Sequence, residues 1–373
     1  MLCGEMIPWN RQKLCLQGRI IVSQKVTILN VAEKAGVSIS TVHQALNGKK
    51  GVSEKTRERI RQIAEELGYQ PNPMASGLKR GTQKVAIVLP GTNYYQTVWN
   101  AVRDYLPGPT GMNLHCREMP FSEGVSGEEP GKIREQILSD LPDGLLITGY
   151  SDILTMQDWE TLREAGVAVS LIGADLPQSH RIFCVQPDYD IVGRTMAELV
   201  LSRIPSYGSI AMCAGNPRWE PHSKVVKGFM SFLQEKGAPN RVYSDHSWNR
   251  REESYRGILK MVSQPDVAAC CSVLSQSSVL LGRALEETGK AGKIFAVGSD
   301  LSDENVAYLE KGVFSNLIQK NPYAQGYLGI RSLAEYLTQG RQPGTARVFV
   351  GSEVVFSSNI RMFRDKSYRS LLG

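Results

Sequence analysis

At the usual ~100 to 200 residues per domain, a chain of 373 residues has room for two or three domains with well-filled cores. Apolar residues make up 42% and charged residues 21%, the balance of an ordinary globular protein, which excludes a mostly disordered or collagen-like chain. The formal net charge of +6 is uneven: residues 1 to 84 carry 14 Lys or Arg against 6 Asp or Glu, a net of +8, and the rest of the chain is at −2. A basic unit suited to a polyanion thus precedes a nearly neutral body.

The opening segment, residues 1–24, places Arg11, Lys13 and Arg19 among short apolar runs. It lacks the continuous apolar stretch and small-residue cleavage site of a signal peptide. It reads as an extension ahead of the folded part, with Met6 or a later non-standard start as the true initiator, or else as a disordered arm that contacts the polyanion.

Three short helical patterns follow over residues 25–70. Thr27 can cap a first helix with Ile28, Val31, Ala32 and Ala35 at helical spacing, and Gly36 ends it. Ser38 is placed to cap a second, with Val42, Ala45 and Leu46 inward and Ile39, Ser40, His43 and Gln44 outward, before Asn47 and Gly48 stop it. Ser53 starts a third, in which Ile60, Ile63, Ala64 and Leu67 form the buried stripe and Arg57, Arg59 and Arg61 are expected to be mostly solvated. Two short helices joined by a Gly-containing turn and braced by a third predict a helix-turn-helix, whose second helix enters a DNA major groove.

Residues 71–83 form a linker in which Asn72 and Pro73 can start a helix of one or two turns through Leu78. So short a helix, with Gly77 inside it, needs an external partner to persist. Beyond Lys84 the apolar runs KVAIVLP, GLLITG, VAVSLIG, SIAMCAG, AACCSVL, KIFAVGSD and FSNLIQ alternate with helical stretches, a pattern that predicts parallel sheets wound by helices. This length of chain suits two lobes with a ligand in the crevice at the strands' C-terminal ends.

No membrane span is expected: the best uncharged stretch, Val267 to Gly282, is 16 residues long and carries four serines, where a spanning helix needs about 20 apolar residues. The seven cysteines are odd in number and never in a C-x-x-C arrangement, so reduced thiols in a cytoplasm are expected rather than disulfides or a metal site. None of the P-loop, G-x-S-x-G or H-E-x-x-H patterns occurs, and the five histidines are dispersed, so neither catalysis nor a cofactor is expected.

The stretch from Val26 to Leu78, with VAEKAGVS, Thr41–Val42, Asn47, VSEKTRERI and LGYQPN, closely resembles the head of the LacI/GalR (lactose-repressor-like) bacterial regulators. Residues 84–359 resemble, more loosely, the two-lobed periplasmic sugar-binding-protein fold of that family, through GTNYY, DYDIVG, AVGSD and LIQKNPYAQGYLGI. The fold so implied is an all-α helix-turn-helix head (25–70), a hinge helix (71–83) and an α/β body (84–373) of two doubly wound parallel sheets. Lobe one is placed at about 84–187 and 320–342, and lobe two at about 188–319 and 343–373. The function implied is a repressor that binds a pseudo-palindromic operator as a homodimer under control of a small-molecule effector, most simply a carbohydrate. The body alone also suits a solute-binding receptor, and a doubly wound fold can carry an enzyme.

The resemblance assigns base reading to Ile39, Ser40 and Gln44. Gln44 can pair bidentately with adenine, Ser40 can donate or accept, and Ile39 can pack on a thymine methyl. His43 could reach a base or a phosphate, or be simply an exposed helical histidine. The DNA-contacting set extends to Thr27, Ser38, Thr41, Asn47, Asn72 and Ala75, with Leu78 entering the minor groove and Lys79 on phosphate. Effector candidates are Tyr94, Tyr95, Asp175, Trp219, His222, Gln276, Asp300 and Gln319, aromatic faces beside carboxylates and amides that suit a polyol. Asp300 could equally cap the helix beginning near Ser302. The family's arginine ahead of the Gly228–Phe229 helix is replaced here by the run Pro221 to Lys224, and its Asn-Asp pair by Gln276 and Ser277. Both departures remove charged clamps for hydroxyls, so the resemblance does not name the ligand.

Overall fold

The computed structural model describes residues 27–46, 51–67, 69, 81–122, 128–149, 152–248 and 252–364. The chain divides into two compact units, Met1–Asn72 and Pro73–Gly373.

In the first unit, helices α1 (Ile28–Ala35), α2 (Ile39–Leu46) and α3 (Glu54–Glu66) surround a small core of Val31, Ala32, Ala35, Val42, Ala45, Ile60 and Ala64. At the start of α1 the Asn30 side chain accepts from Thr27 N at 2.9 Å, and Gly36 closes the helix at φ 64°. Ser38 Oγ accepts from Thr41 N at 3.1 Å, and Ser53 Oγ from Thr56 N at 3.3 Å, so each hydroxyl satisfies an N–H that the first helical turn leaves open. One expectation is corrected. Arg57 is buried at 9% exposure, its guanidinium donating to Ala45 O at 3.1 Å and to Val52 O at 3.4 Å. Arg59 donates to Ala35 O at 2.6 Å. Carbonyls left open at the C-terminal ends of α2 and α1 accept from these cations; Arg57 is thereby drawn out of water, while Arg59 caps α1 and stays exposed as expected.

The second unit holds two six-stranded sheets. The first contains β1 (Gln83–Pro90), β2 (Leu114–Phe121), β3 (Gly144–Thr148), β4 (Ala168–Ile172), β5 (Phe183–Pro187) and β11 (Arg347–Val350), in the order β2-β1-β3-β4-β5-β11, all parallel. The second contains β6 (Ser209–Cys213), β7 (Val242–Asp245), β8 (Val267–Ser272), β9 (Phe295–Ser299), β10 (Asn316–Gln319) and β12 (Glu353–Val355), in the order β7-β6-β8-β9-β10-β12, with β12 antiparallel to β10. Helices α4 (Asn93–Tyr105), α5 (Glu128–Ser139), α6 (Met156–Glu164) and α12 (Pro322–Gln339) belong with the first sheet. The second sheet carries α7 (Tyr189–Leu201), α8 (Glu220–Glu235), α9 (Glu252–Val262), α10 (Ser275–Glu287) and α11 (Asp303–Glu310), and the short α13 (Arg361–Arg364) follows β12. Helices α7 and α8 pack backbone against backbone: a Cβ on Gly193 would lie 2.0 Å from Val225 O, and one on Gly228 2.3 Å from Asp190 O. Only glycine fits either position.

The proposed boundary at 342/343 differs from the strand pairing. Arg347 to Val350 pair with Cys184 to Pro187, which puts β11 in the first lobe, and the chain crosses to the second lobe only between β11 and β12. The sequence reading also omitted β2, β5, β7, β11 and β12. Four of these are sheet edges and β5 lies next to one, and their residues alternate with water-facing ones or run for only three to five positions, so no long apolar run announces them. No helix among the described residues is long and apolar enough to cross a membrane.

Candidate functional site

The first unit presents one face of α2. Ile39 is 47% exposed, and Ser40 and Gln44 lie outward on the same helix while Val42 and Ala45 are buried. Period 3.6 produces this division: with Val42 and Ala45 turned into the core, positions 39, 40, 43 and 44 face away from it. Ser38 and Thr41 are tied to one another at the helix start, Oγ to Oγ1 at 2.9 Å, and Thr27 sits at the start of α1. Asn47, Asn72, Ala75, Leu78 and Lys79 lie outside the described residues, as does the segment 1–24.

In the second unit a cleft opens where the C-terminal ends of the strands face each other. The loops there deliver its lining almost one by one. After β1 come Thr92, Tyr94 and Tyr95; after β5, Tyr189; after β6, Trp219, Pro221 and His222; after β7, Trp248. Val273, Leu274, Ser275 and Gln276 follow β8, Asp300 follows β9, and Lys320 follows β10. Parallel strands all end on one side, so residues distant in sequence converge at that edge.

Six of the eight effector candidates meet here: Tyr94, Tyr95, Trp219, His222, Gln276 and Asp300. Asp175 does not line the cleft. Both its carboxylate oxygens accept from Arg181, at 2.5 and 2.6 Å, and Arg347 of β11 stands 3.7 Å away. Its position after β4 suggested the site, but two guanidiniums draw it aside. Gln319 does not line the cleft either, and Lys320 does. Successive residues at a strand end point to opposite faces, so the polar group was assigned one residue too early. Tyr189 and Trp248 were missed as well. Tyr189 lies within the DYDIVG motif, and its hydroxyl donates to Gly173 O at 2.6 Å; Trp248 sits on an otherwise unremarked loop after an edge strand.

Asp300 and Lys320 form the polar centre. Asp300 adopts φ 64° and is 3% exposed. Its Oδ2 lies 2.9 Å from Lys320 Nζ and accepts from Ser299 Oγ at 2.9 Å, while Oδ1 is buried with no hydrogen-bond partner. Lys320 Nζ also donates to Val273 O at 3.0 Å and to Ser299 Oγ at 2.6 Å. The alternative role for Asp300, capping the next helix, belongs instead to Ser302, whose hydroxyl accepts from Asn305 N at 3.3 Å.

Around this pair stand aromatic walls. Trp219 lies 4.9 Å from Trp248 and 5.4 Å from His222 between ring centroids, and Tyr94 meets Tyr95 edge-on at 5.1 Å. His222 Nδ1 accepts from Asn216 N at 3.0 Å, so its neutral ring carries the proton on Nε2. Burial, and then the Lys320 charge, push its pKa down to about 3. Gln325 Nε2, from α12, donates to the Tyr94 hydroxyl at 2.9 Å and to Lys320 O at 2.7 Å, anchoring the wall of one lobe to the crossover from the other. Chemically the cleft offers flat apolar faces, an unused carboxylate oxygen and a neutral imidazole donor. Among its described lining residues there is no nucleophile–base pair of the kind that acyl or phosphoryl transfer would need.

A helix-turn-helix unit with an outward-facing second helix, carried on the same chain as a two-lobed body with a cleft at its strand ends, defines a DNA-binding transcriptional regulator. Residues 85–342 match the family model of the periplasmic binding protein domain, and residues 27–72 that of bacterial regulatory proteins of the lacI family. The chain belongs to the LacI/GalR family of regulators. It is 27% identical to catabolite control protein A of Priestia megaterium over 251 residues, 64% of this chain and 72% of that protein. It is 22% identical to the Staphylococcus aureus protein of the same name over 317 residues, 84% and 92% of the two chains. Among solved structures, an ABC transporter solute binding protein from Agrobacterium vitis bound with alpha-D-tagatopyranose aligns at a TM-score of 0.65 and 15% identity, covering 78% of this chain and 98% of that one, a likeness of fold.

Proposed function

We propose that the protein is a cytoplasmic repressor that binds a pseudo-palindromic operator as a homodimer, with an affinity set by a sugar seated between its lobes. The observation that carries the effector half is Asp300 Oδ1, a buried acceptor with no partner in a cleft walled by aromatic rings. Sugar rings present C–H faces to such rings and hydroxyl donors to such an oxygen. The tagatopyranose held by the Agrobacterium vitis protein, on the same fold, supports this reading, as do relatives named for catabolite control. The exposed Ile39 and Ser40 and the half-buried Gln44 on the outward side of α2 support the DNA half.

A ligand that touches both lobes favours one angle between them, and the DNA response can be no larger than its differential affinity for the two states. The test is to select an operator from random duplexes with the full-length protein, then titrate it with and without individual sugars. One sugar is expected to shift DNA affinity by roughly 5- to 150-fold in either direction. Recovery of the sugar unchanged after incubation would separate this reading from catalysis, and operator affinity indifferent to every sugar tried would remove the effector role.

A further inference from the structure

Resting on the carbohydrate reading, we propose a sharper selection: the cleft takes an uncharged sugar ring and rejects sugar phosphates and sugar acids. Recognition of a phosphate or carboxylate needs a cation with donors to spare. The one cationic side chain among the described lining residues is Lys320, and it is already committed. Its Nζ serves Val273 O, Ser299 Oγ and Asp300 Oδ2 at 3.0, 2.6 and 2.9 Å, which accounts for all three donors of an ammonium, and its charge is matched by Asp300. His222 adds a donor without a charge, because its Nδ1 is held by Asn216 N. What remains is the unpartnered Asp300 Oδ1, which asks for a hydroxyl donor and repels an anion.

Helices α8 and α10 start at the rim, at Glu220 and Ser275, and contribute the partial positive charge of a helix N-terminus. The Glu220 carboxylate in the first turn of α8 offsets one of these ends. Half a charge suits a sugar ring oxygen or hydroxyl, whereas a phosphate dianion would lose its hydration between Trp219, Trp248 and Tyr94 with no free cation among the described lining residues to replace it. The selected ligand therefore lays an apolar C–H face on the tryptophan wall and gives one hydroxyl hydrogen to Asp300 Oδ1.

Calorimetric titration of the full-length protein with matched pairs tests this. D-glucose, D-galactose and D-ribose are compared with glucose 6-phosphate, galactose 6-phosphate and ribose 5-phosphate, and glucuronic acid is added as a sugar acid. At least one neutral sugar is expected to bind, with its charged counterpart weaker by roughly a hundredfold, the scale of an anion placed beside a carboxylate with no free cation to receive it. A charged member that binds as tightly as its neutral partner, or more tightly, overturns this selection and leaves the carbohydrate reading standing. Binding by no member of either set removes the carbohydrate reading, and this inference with it. Gln276→Arg, which brings an uncommitted cation to the lining, is expected to narrow the gap at least about tenfold. A folded Gln276→Arg protein with the gap unchanged would show that shape, not charge, does the excluding, and would overturn the proposal as well.

Discussion

Asp300 and Lys320 depend on one another. Asp300→Asn exchanges a carboxylate for an isosteric amide, a change that its αL backbone tolerates. In the structure it also leaves Lys320, 8% exposed, without its counter-charge. The single substitution is expected to cost about 3 kcal/mol, and the double variant Asp300→Asn/Lys320→Met less than the two singles combined, because no charge is then left buried alone. Denaturant midpoints of the four proteins check this, and additive losses would mean that the ions are not coupled. His222 carries a second prediction. Its folded pKa lies near 3, below the ordinary value of 6.5, so between these pH values the unfolded chain binds a proton that the folded chain does not. Stability from this group is fully present above pH 6.5 and is lost as pH falls toward 3, at about 1.4 kcal/mol per pH unit. His222→Gln is expected to flatten that acid limb, measured as denaturant midpoint against pH. A slope identical to wild type would show that His222 does not titrate in this window.

At the scale of the element, α2 is a helix of 8 residues, too short to persist alone, and its ends decide how well it is held. Ser38 closes the N-terminal end and Arg57, reaching across from α3, closes the C-terminal end through Ala45 O. Arg57→Ala is therefore expected to lower operator affinity and random-duplex affinity together, by loosening the whole helix. Gln44→Ala is expected to cost about 1 to 3 kcal/mol on operator and little on random DNA, since a base-edge contact carries the sequence information. Binding titrations of both variants on both duplexes distinguish them, and equal losses on the two duplexes for Gln44→Ala would take it out of base reading. The same dependence on neighbours explains the unread strands. β2 buries only Met119 and Phe121, and β11 only Val350, so their identity comes from pairing with β1 and β5 rather than from their own composition.

For the whole molecule, one head is expected to read only a few base pairs, and the short helix expected over residues 71–83 would gain a partner only when a second copy lies beside it. The protein is expected to sediment as a dimer without DNA and to bind a two-fold site as that dimer. Leu78→Ala should weaken operator binding and leave the free dimer intact, because in the proposed dimer the bodies rather than the hinges would hold the pair. A one-to-one complex of monomer and intact operator, or dissociation of the free Leu78→Ala protein, would reject this assembly.

By itself the sequence determined whatever local periodicity and capping control. The three head helices, the central strands β1, β3, β4, β6, β8, β9 and β10, and the motifs GTNYY and AVGSD that carry Tyr94, Tyr95 and Asp300 into the cleft all announce themselves within short windows. Tertiary structure decided what depends on partners distant in sequence. It turned Asp175 toward Arg181, replaced Gln319 with Lys320 at the cleft, buried Arg57 against the end of α2, and returned β11 to the first sheet. In each case a charge or a strand edge must find its complement, and that complement lies elsewhere along the chain, where no local pattern records it.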